Sequence, residues 1–412
     1  MSRQWPALAA VLSLTLSSQL ASARPITLTE ALSLADRSPA LTAAEAQVDA
    51  ARGSLEQSEI YPYNPVLGGS FGPARSRGMT FYDYDVGLSQ TIELGGKRRA
   101  RVSAAAAERD AAVQTLAWTK AVLHAEVRRA FQEVLVAQSR VTVATEAETF
   151  ARELREAALE RLRLGAATQT EVNVAIANLG RSIVAKRTAD RDLILAQRAF
   201  GDAMGVVGTG LEPVGALPTF PVAPSDEKML VDEAISTRPD LIAAYRTRAA
   251  RSAAVDLADA QAVPDPQLSV SWVRSAVEDS SSIVVGAQIA LPLVNRNQGN
   301  RHAARAALKR ATIERDAARL AIERDVRTTR RRYQAASEAV AAFDQQVVGK
   351  LGENLKLARE MLAAGKLGLL ELNTVRRDLV ESQLSYLDAI GEAVEARAAL
   401  ERALGRSLEV MP

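Results

Sequence analysis

The chain has 412 residues, with 51 lysines and arginines against 49 aspartates and glutamates. This near balance gives no electrostatic basis for a nucleic-acid partner, and the absence of cysteine excludes disulfides and thiol chemistry. Aromatic residues make up only 4% of the chain, too few for a conventional large globular core, whereas the abundance of Ala, Arg, Glu and Leu is typical of long helices and coiled coils.

Residues 1–23 are predicted to form a secretory signal peptide. Arg3 is followed by an apolar stretch from Trp5 to Leu16 and by Ala21-Ser22-Ala23, which fits a cleavage site. A membrane anchor needs about 18 to 20 apolar residues, and this stretch is shorter. No later segment could span a bilayer as a helix, so we expect an exported chain.

The chain repeats itself at an offset of 200 residues. Proline, glycine and asparagine fall in register, which chance matches in an Ala-rich chain do not explain. The matching positions include Pro39 and Pro239, Leu41 and Leu241, Arg101 and Arg301, Gly165 and Gly365, Glu171 and Glu371, Asn173 and Asn373, and Gly205 and Gly405. We therefore expect a first repeat over 24–205, a Gly- and Pro-rich connector over 206–224, and a second repeat over 225–412.

Each repeat is predicted to begin with a helix. In the first repeat, Thr27 and Glu30 have the spacing of a capping box, and a helical pattern follows from about Thr29 to Ile60. Pro62 and Pro65 end it, as Pro264 and Pro266 end the matching helix of the second repeat.

Two segments of alternating polarity follow each of these helices. In the first repeat, Leu67, Gly69 and Phe71 predict a short strand, Pro73 to Gly78 a turn, and the next dozen residues a longer strand. The pattern leaves open whether each hairpin packs on helices with its polar side to water, or faces lipid with its apolar side. The predicted apolar face comprises Tyr82, Tyr84, Val86, Leu88, Ile92, Leu94, Leu268, Val270, Trp272, Ile283, Val285, Ile289 and Leu291, and the polar face Asp83, Asp85, Ser89, Thr91 and Glu93.

A very long helix is predicted after each hairpin. Lys97 to Leu164 contains no proline, and its 68 residues would span roughly 100 Å. Gly165 and Gly365 are expected to form the turns of two helical hairpins, whose return helices run to Gly205 and Gly405. The 3-4 spacing of a coiled-coil seam joins Leu116, Leu123, Val127, Ala130, Val134, Ala137, Val141 and Ala144, with a matching step of seven through Val326, Tyr333, Val340 and Val347.

The strand-to-helix junctions carry the most specific resemblance. Residues 90–98, Gln-Thr-Ile-Glu-Leu-Gly-Gly-Lys-Arg, and residues 291–299, Leu-Pro-Leu-Val-Asn-Arg-Asn-Gln-Gly, resemble junctions of the TolC-type outer-membrane factor family, in its heavy-metal efflux branch. The resemblance implies an α+β, mostly α, fold in which three chains each give four strands to one twelve-stranded barrel. It also implies that the helices form a periplasmic tunnel, opened by an adaptor and an inner-membrane pump of the RND type.

The strand count agrees with this architecture. A hairpin alone leaves two unpaired edges, which a lipid environment does not tolerate, so four strands must close a barrel with other chains. A four-stranded barrel is too tight to have an interior, whereas twelve strands leave an aqueous lumen. Oligomerisation is therefore expected from the strand count, and the family resemblance implies that the oligomer is a homotrimer embedded in outer-membrane lipid.

Catalytic and metal sites have little support in the sequence. His124 and His302 stand alone on long helices, with no cysteine and no second histidine at ligand spacing. Gly95-Gly96-Lys97 lacks the earlier glycine of a phosphate-binding loop, because position 91 is Thr. We expect no enzyme, no cofactor and no bound metal.

The tips of the helical hairpins carry the candidate functional residues. By resemblance, Glu171 and Glu371 face the narrowed tunnel, giving six carboxylates in a trimer, which would attract cations and raise one another's pKa. Helix capping is the rival role for both, most clearly for Glu171, which follows Thr168 by three positions. The sequence departs from the family at the latch, where Leu162, Leu362, Leu367 and Thr374 replace aromatic, basic and acidic residues, so closure by apolar packing is expected.

Together with the family resemblance, these features predict a passive exit duct of the outer membrane, extending into the periplasm and exporting heavy-metal cations. A duct for drugs or secreted proteins is the alternative within the same family. From a different class, a periplasmic coiled-coil adaptor or scaffold remains open, although an adaptor would lack the duplication and the alternating strands.

Overall fold

The computed structural model describes residues 24–206, 210–221, 226–343, 345–364 and 366–408. The predicted signal peptide and Gly365 lie outside the described residues. Among the described residues, none of the helices combines the length and the apolar character needed to cross a bilayer.

The described residues form long helices and two small sheets. The helices are α1 (Leu28–Ala35), α2 (Pro39–Glu59), α3 (Lys97–Arg163), α4 (Gln169–Met204), α5 (Glu227–Thr237), α6 (Pro239–Ala260), α7 (Gln298–Ala342), α8 (Gln345–Ala363) and α9 (Leu369–Leu404). The strands are β1 (Arg24–Ile26), β2 (Val66–Ser76), β3 (Met79–Thr91), β4 (Leu211–Pro213), β5 (Gln267–Ser275) and β6 (Ser280–Gln288).

The helix predicted at the start of the first repeat is two helices. The capping box of Thr27 and Glu30 begins α1 as expected, but α1 ends at Ala35. The Ser38 side chain then accepts the N–H of Leu41 and starts α2, whose first residue is Pro39. Proline suits the first turn of a helix because its missing N–H would have no partner there, so the break was encoded locally.

The long helix of the first repeat agrees with its prediction. The 67 residues of α3 run without a break to Arg163, and Gly165 follows with a φ of +71°. The return helix α4 ends at Gly205, whose φ of +70° lies in the same left-handed region that favours glycine. In the second repeat, two helices, α7 and α8, take the place of the single long helix α3.

The predicted hairpins join into one antiparallel sheet with the order β2-β3-β5-β6. Strands β3 and β5 pair across the two repeats, with Val86 opposite Trp272, so the sheet itself unites the duplicated halves. Strand β2 is longer than expected. It continues through Pro73 to Ser76, and only Arg77 and Gly78 remain as a turn, because Pro73 lies on an edge strand where its missing N–H is tolerated.

The predicted apolar face of this sheet is exposed in the protomer. Ile283 is 74% exposed and Val285 is 80% exposed, whereas the polar positions Asp83 and Asp85 are half-buried. A water-soluble sheet packed on helices would show the opposite arrangement. Within one protomer, therefore, the apolar face is not covered by helices.

The ends of two strands differ from the prediction. Strand β3 stops at Thr91 and β6 at Gln288, so Ile92, Leu94, Ile289 and Leu291 do not continue the apolar face. Glu93 also lies beyond β3. Its carboxylate is nearly buried and pairs with Arg101 at 2.6 Å, at the base of the sheet. Glu93 is therefore a junction residue and not a member of the strand's polar face.

The hydrophobic core lies in the helical part of the chain. Two clusters occupy the middle, one around Val127 and Val134 of α3 and one around Val326 and Tyr333 of α7, and these four residues are among the predicted seam positions. The side chain of the seam position Val347 lies outside the described residues. The Tyr333 hydroxyl donates to the carbonyl oxygen of Pro221 at 2.8 Å and anchors the connector. The connector also contains β4, which pairs in parallel with β1, an element that the sequence analysis did not predict.

Candidate functional site

Glu171 is fixed at the tip of the first helical hairpin by a complete capping box. Its carboxylate accepts the backbone N–H of Thr168 at 2.6 Å and the Thr168 hydroxyl at 3.2 Å, and its own N–H donates to Thr168 Oγ1 at 3.3 Å. These hydrogen bonds, the backbone one first, lower the pKa of the Glu171 carboxyl. Within one protomer this direction opposes the rise expected from repulsion among tip carboxylates.

Glu371 has the equivalent position in the second hairpin. Its carboxylate accepts the N–H of Gly368 at 2.9 Å, in the first turn of α9. Glycine has no side chain to return the bond, so only half of a capping box forms. From the sequence, capping was a weaker expectation for Glu371 than for Glu171, and the structure shows that Glu371 caps its helix as well. Capping does not by itself prevent an exposed carboxylate from facing a pore.

The tips of the two hairpins lie side by side. A cavity of about 20 Å³ is lined by Glu171 from the first repeat and by Leu370 and Asn373 from the second. Around it, an apolar cluster built on Phe150 and Leu372 joins α3, α4, α8 and α9. Leu162, Leu362 and Leu367, which the resemblance places at latch positions, pack against this cluster. The two candidate gate residues are thus held on one packed apolar base.

The charges on the four-stranded sheet separate by face. The alternation places Asp83 and Asp85 on the polar face. Both arginines of the strands, Arg75 and Arg274, fall on the apolar face near its turn end, opposite Thr80 and Tyr84. Among the strand residues, the polar face therefore carries only negative charge.

A buried ion pair lies where the sheet meets the helices. Lys97, the first residue of α3, contacts Asp265 at 2.7 Å, and both side chains are about nine-tenths buried. Asp265 also accepts the N–H of Leu94 at 2.8 Å and the hydroxyl of Tyr63 at 2.9 Å. From the sequence, Lys97 was only the start of the long helix and part of a rejected phosphate-loop motif. Asp265 was given no role, although the prolines at 264 and 266 flank it.

A second group of charges joins the two repeats half-way along α3. Arg129 contacts Glu133 at 2.5 Å and Glu395 of α9 at 2.8 Å, and it also binds Glu126. Burial raises the pKa of the Glu133 carboxyl to about 7, and the adjacent Glu395 carboxyl adds to this rise, against the opposing charge of Arg129. The group helps to hold α3 against α9.

The histidines are not brought together. His124 contacts Asp36 at 2.7 Å, and Lys120 shares the same carboxylate at 3.0 Å. His302 is exposed on α7. No group of three or more potential metal ligands occurs among the described residues.

Comparison with known proteins gives a match over both repeats. The family model described as outer membrane efflux protein matches residues 31–206 and 230–406. The cobalt-zinc-cadmium resistance protein CzcC of Cupriavidus metallidurans is 29% identical over 387 residues, which cover 93% of this chain and 91% of that protein. The nickel-cobalt-cadmium resistance protein NccC of Alcaligenes xylosoxydans xylosoxydans is 28% identical over 414 residues, covering 97% and 90%.

A solved structure shares the fold. The crystal structure of CusC, which has been studied for its conformational changes on folding and transmembrane channel formation, matches with a TM-score of 0.74 at 17% identity. The match covers 99% of each chain. The chain therefore shares its overall fold with CusC.

Proposed function

We propose, from the premise that this chain belongs to the outer membrane efflux protein family, that it is the outer-membrane exit duct of a tripartite efflux system. The duct is a homotrimer whose four-stranded sheets close a twelve-stranded barrel, and whose helices continue it into the periplasm. The family is one of efflux proteins and not of enzymes. The resemblance first noted at the two strand-to-helix junctions is confirmed by this membership.

The observation that supports the duct most directly is the exposed apolar face of the sheet. That face, which includes Val86, Trp272 and Ile283, requires an apolar surrounding, and lipid supplies one on the outside of a barrel. The opposite face, with Asp83 and Asp85, then lines the lumen together with Ser89 and Thr91. A water-soluble coiled-coil adaptor or scaffold would not expose an apolar sheet face of this kind. The sheet therefore favours the duct over that alternative.

We further propose that the exported substrate is a heavy-metal cation. The names of CzcC and NccC record resistance to cobalt, cadmium, zinc and nickel, and both proteins match nearly the whole chain. The polar face of the sheet carries only negative charge, which fits a cationic cargo. Negative charges that line a narrow passage attract cations and repel anions. An inner-membrane RND pump and a periplasmic adaptor are the partners that such a duct requires.

The location and assembly provide the first test. The mature chain is expected to fractionate with outer membranes as a trimer whose strand signal in circular dichroism persists in detergent. In planar bilayers the purified protein should conduct cations in preference to anions. Recovery as a soluble periplasmic monomer would contradict the proposal.

The second test concerns the tip. Replacing Glu171 and Glu371 together by Gln removes six negative charges per trimer. If these residues form a ring in the constriction, single-channel recordings should show a weaker cation preference and weaker block by divalent cations, because both depend on the local charge.

Thr168→Ala is the matched control for this test. It removes the two hydrogen bonds between the Thr168 hydroxyl and Glu171, and it leaves the backbone N–H of residue 168 and both carboxylates in place. A ring predicts that Thr168→Ala keeps the wild-type selectivity, whereas a purely capping role predicts no change of selectivity in the Gln variant either. Unchanged selectivity in the Gln variant would contradict the proposed gate ring but not the proposed duct.

A further inference from the structure

The two outer strands of the sheet have unpaired edges. Among the described residues, strand β2 pairs only with β3, and β6 pairs only with β5. Both edges are rich in exposed apolar side chains, with Leu67 76% exposed and Val285 80% exposed. Since successive strands alternate in direction, β6 of one chain can meet β2 of another in antiparallel fashion. A second copy of this chain is the partner that satisfies both edges at once.

The register of strand pairing at a seam between two chains must be fixed by side-chain contacts, because no turn connects the two strands. Within the protomer, the turns fix the register of the two hairpins, but β3 and β5 are joined by no turn. Side chains fix that pair instead. Asp83 accepts the N–H of Ala276 at 2.7 Å at one end, and Gln267 donates to Ser89 Oγ at 2.9 Å at the other. The seam between two chains likewise has no turn.

The turns at the far end of the sheet carry opposite charges. The turn end of the β2–β3 hairpin, here called the arginine turn, carries Arg75 near the end of β2 and Arg77 in the turn itself. The β5–β6 turn, here called the acidic turn, carries Glu278 and Asp279. Asp279 of the acidic turn is paired with Arg274 of β5. Among the described residues, none forms an ion pair with Arg75, Arg77 or Glu278.

Strand spacing decides which turns can meet. Neighbouring strands lie about 4.8 Å apart, so Arg75 on β2 is about 14 Å from β6 of its own sheet, which is three strands away. Across a β6–β2 seam the same arginine would lie one spacing, about 5 Å, from the strand that Glu278 and Asp279 precede. The distance favours contact between chains over contact within a chain.

We propose that the arginine turn of each protomer binds the acidic turn of its neighbour, with Arg75 paired to Glu278, and that this contact sets the register of the seam. The inference rests on the proposed trimeric duct and adds to it a specific contact between copies. A slip of one residue at the seam would turn the apolar face of a strand inward, so a charge pair at the turn end protects the lipid-facing surface of the assembly.

Charge reversal at these two positions tests the contact. Neither residue has a left-handed backbone, so the substitutions introduce no conformational strain. Arg75→Glu and Glu278→Arg are each expected to make the detergent-solubilised trimer dissociate about tenfold faster, and the double variant R75E/E278R to return to within about twofold of wild type. Dissociation is followed by the loss of the trimer band in gels run without boiling.

Arg75→Lys is the matched control and should dissociate like the wild type, because it keeps the charge. High ionic strength should reduce the difference between the reversed variants and wild type, since exposed pairs are screened. Single reversals without effect, or a double variant weaker than either single variant, would overturn the proposed contact. A wild-type protein that is not a trimer would instead refute the proposed duct itself.

A covalent readout separates contact between chains from contact within one chain. The natural chain has no cysteine, so R75C/E278C introduces the only two thiols. A short bis-maleimide cross-linker should yield covalent dimers and trimers on denaturing gels. If only cross-linked monomer forms, the pairing lies within one protomer and the proposal is wrong. If the Arg75→Glu defect depends on lipopolysaccharide and is not rescued by Glu278→Arg, the arginine turn binds lipid phosphate instead.

Discussion

Replacing Glu401 by Ala is expected to lower the free energy of unfolding by about 3–5 kcal/mol, the usual cost of breaking a buried ion pair from one side. The Glu401 side chain is only 2% exposed and binds Arg128 of α3 at 3.0 Å and Arg397 of α9 at 3.3 Å. It also accepts the N–H of Leu408 at 3.1 Å. One carboxylate thus joins the first repeat, the second repeat and the end of the described chain.

The loss follows from what the substitution leaves behind. Arg128 and Arg397 would remain nearly buried without the carboxylate that neutralises them, and the Leu408 N–H would lose its acceptor. The measurement is equilibrium unfolding in denaturant, followed by the helical signal in circular dichroism. Removing Arg128 as well, in R128L/E401A, should recover part of the loss, because one unpaired charge is then absent.

Glu392→Ala is the control on the same helix. Glu392 pairs with Arg332 at 2.7 Å, but both side chains are more than half exposed, so about 0–1 kcal/mol is expected. If Glu401→Ala and Glu392→Ala destabilise the protein equally, burial is not the source of the Glu401 effect.

Replacing Val86 by Arg is expected to destabilise the membrane-inserted protein by about 2–4 kcal/mol per protomer. Val86 lies in the middle of β3, on the exposed apolar face, in a row with Trp272 and Ile283 of the neighbouring strands. If this row lies at the bilayer midplane, the charged guanidinium of the new arginine must be transferred from water into the hydrocarbon core, which is unfavourable. The effect is measured by folding into lipid vesicles across a urea series, as a shift of the midpoint.

Asp85→Arg is the matched comparison one residue away. The side chain at 85 points to the opposite face of the same strand, where water fills the proposed lumen. Its substitution should change folding little and should reduce the cation preference of the channel. Equal destabilisation by Val86→Arg and Asp85→Arg would mean that the faces are wrongly assigned.

The sequence alone determined the features that depend on neighbouring residues. The alternation from Tyr82 to Leu88 defined the two faces of β3, because side chains in a strand point alternately to opposite sides. The span of α3 and the turn at Gly165 followed from the absence of proline and from the glycine that ends a helix. The duplication was visible because proline and glycine mark such ends at the same offset in both repeats.

The tertiary structure decided what depends on residues far apart in the chain. Three contacts join segments that no local pattern connects. They are the pairing of β3 with β5, the ion pair of Lys97 with Asp265, and the buried ion pairs of Glu401. Capping by Glu371 was undervalued because its partner is a backbone N–H of a glycine, which leaves no side-chain signature. Periodicity and turn residues are local properties of a sequence, whereas the burial of a charge depends on which distant segments pack around it.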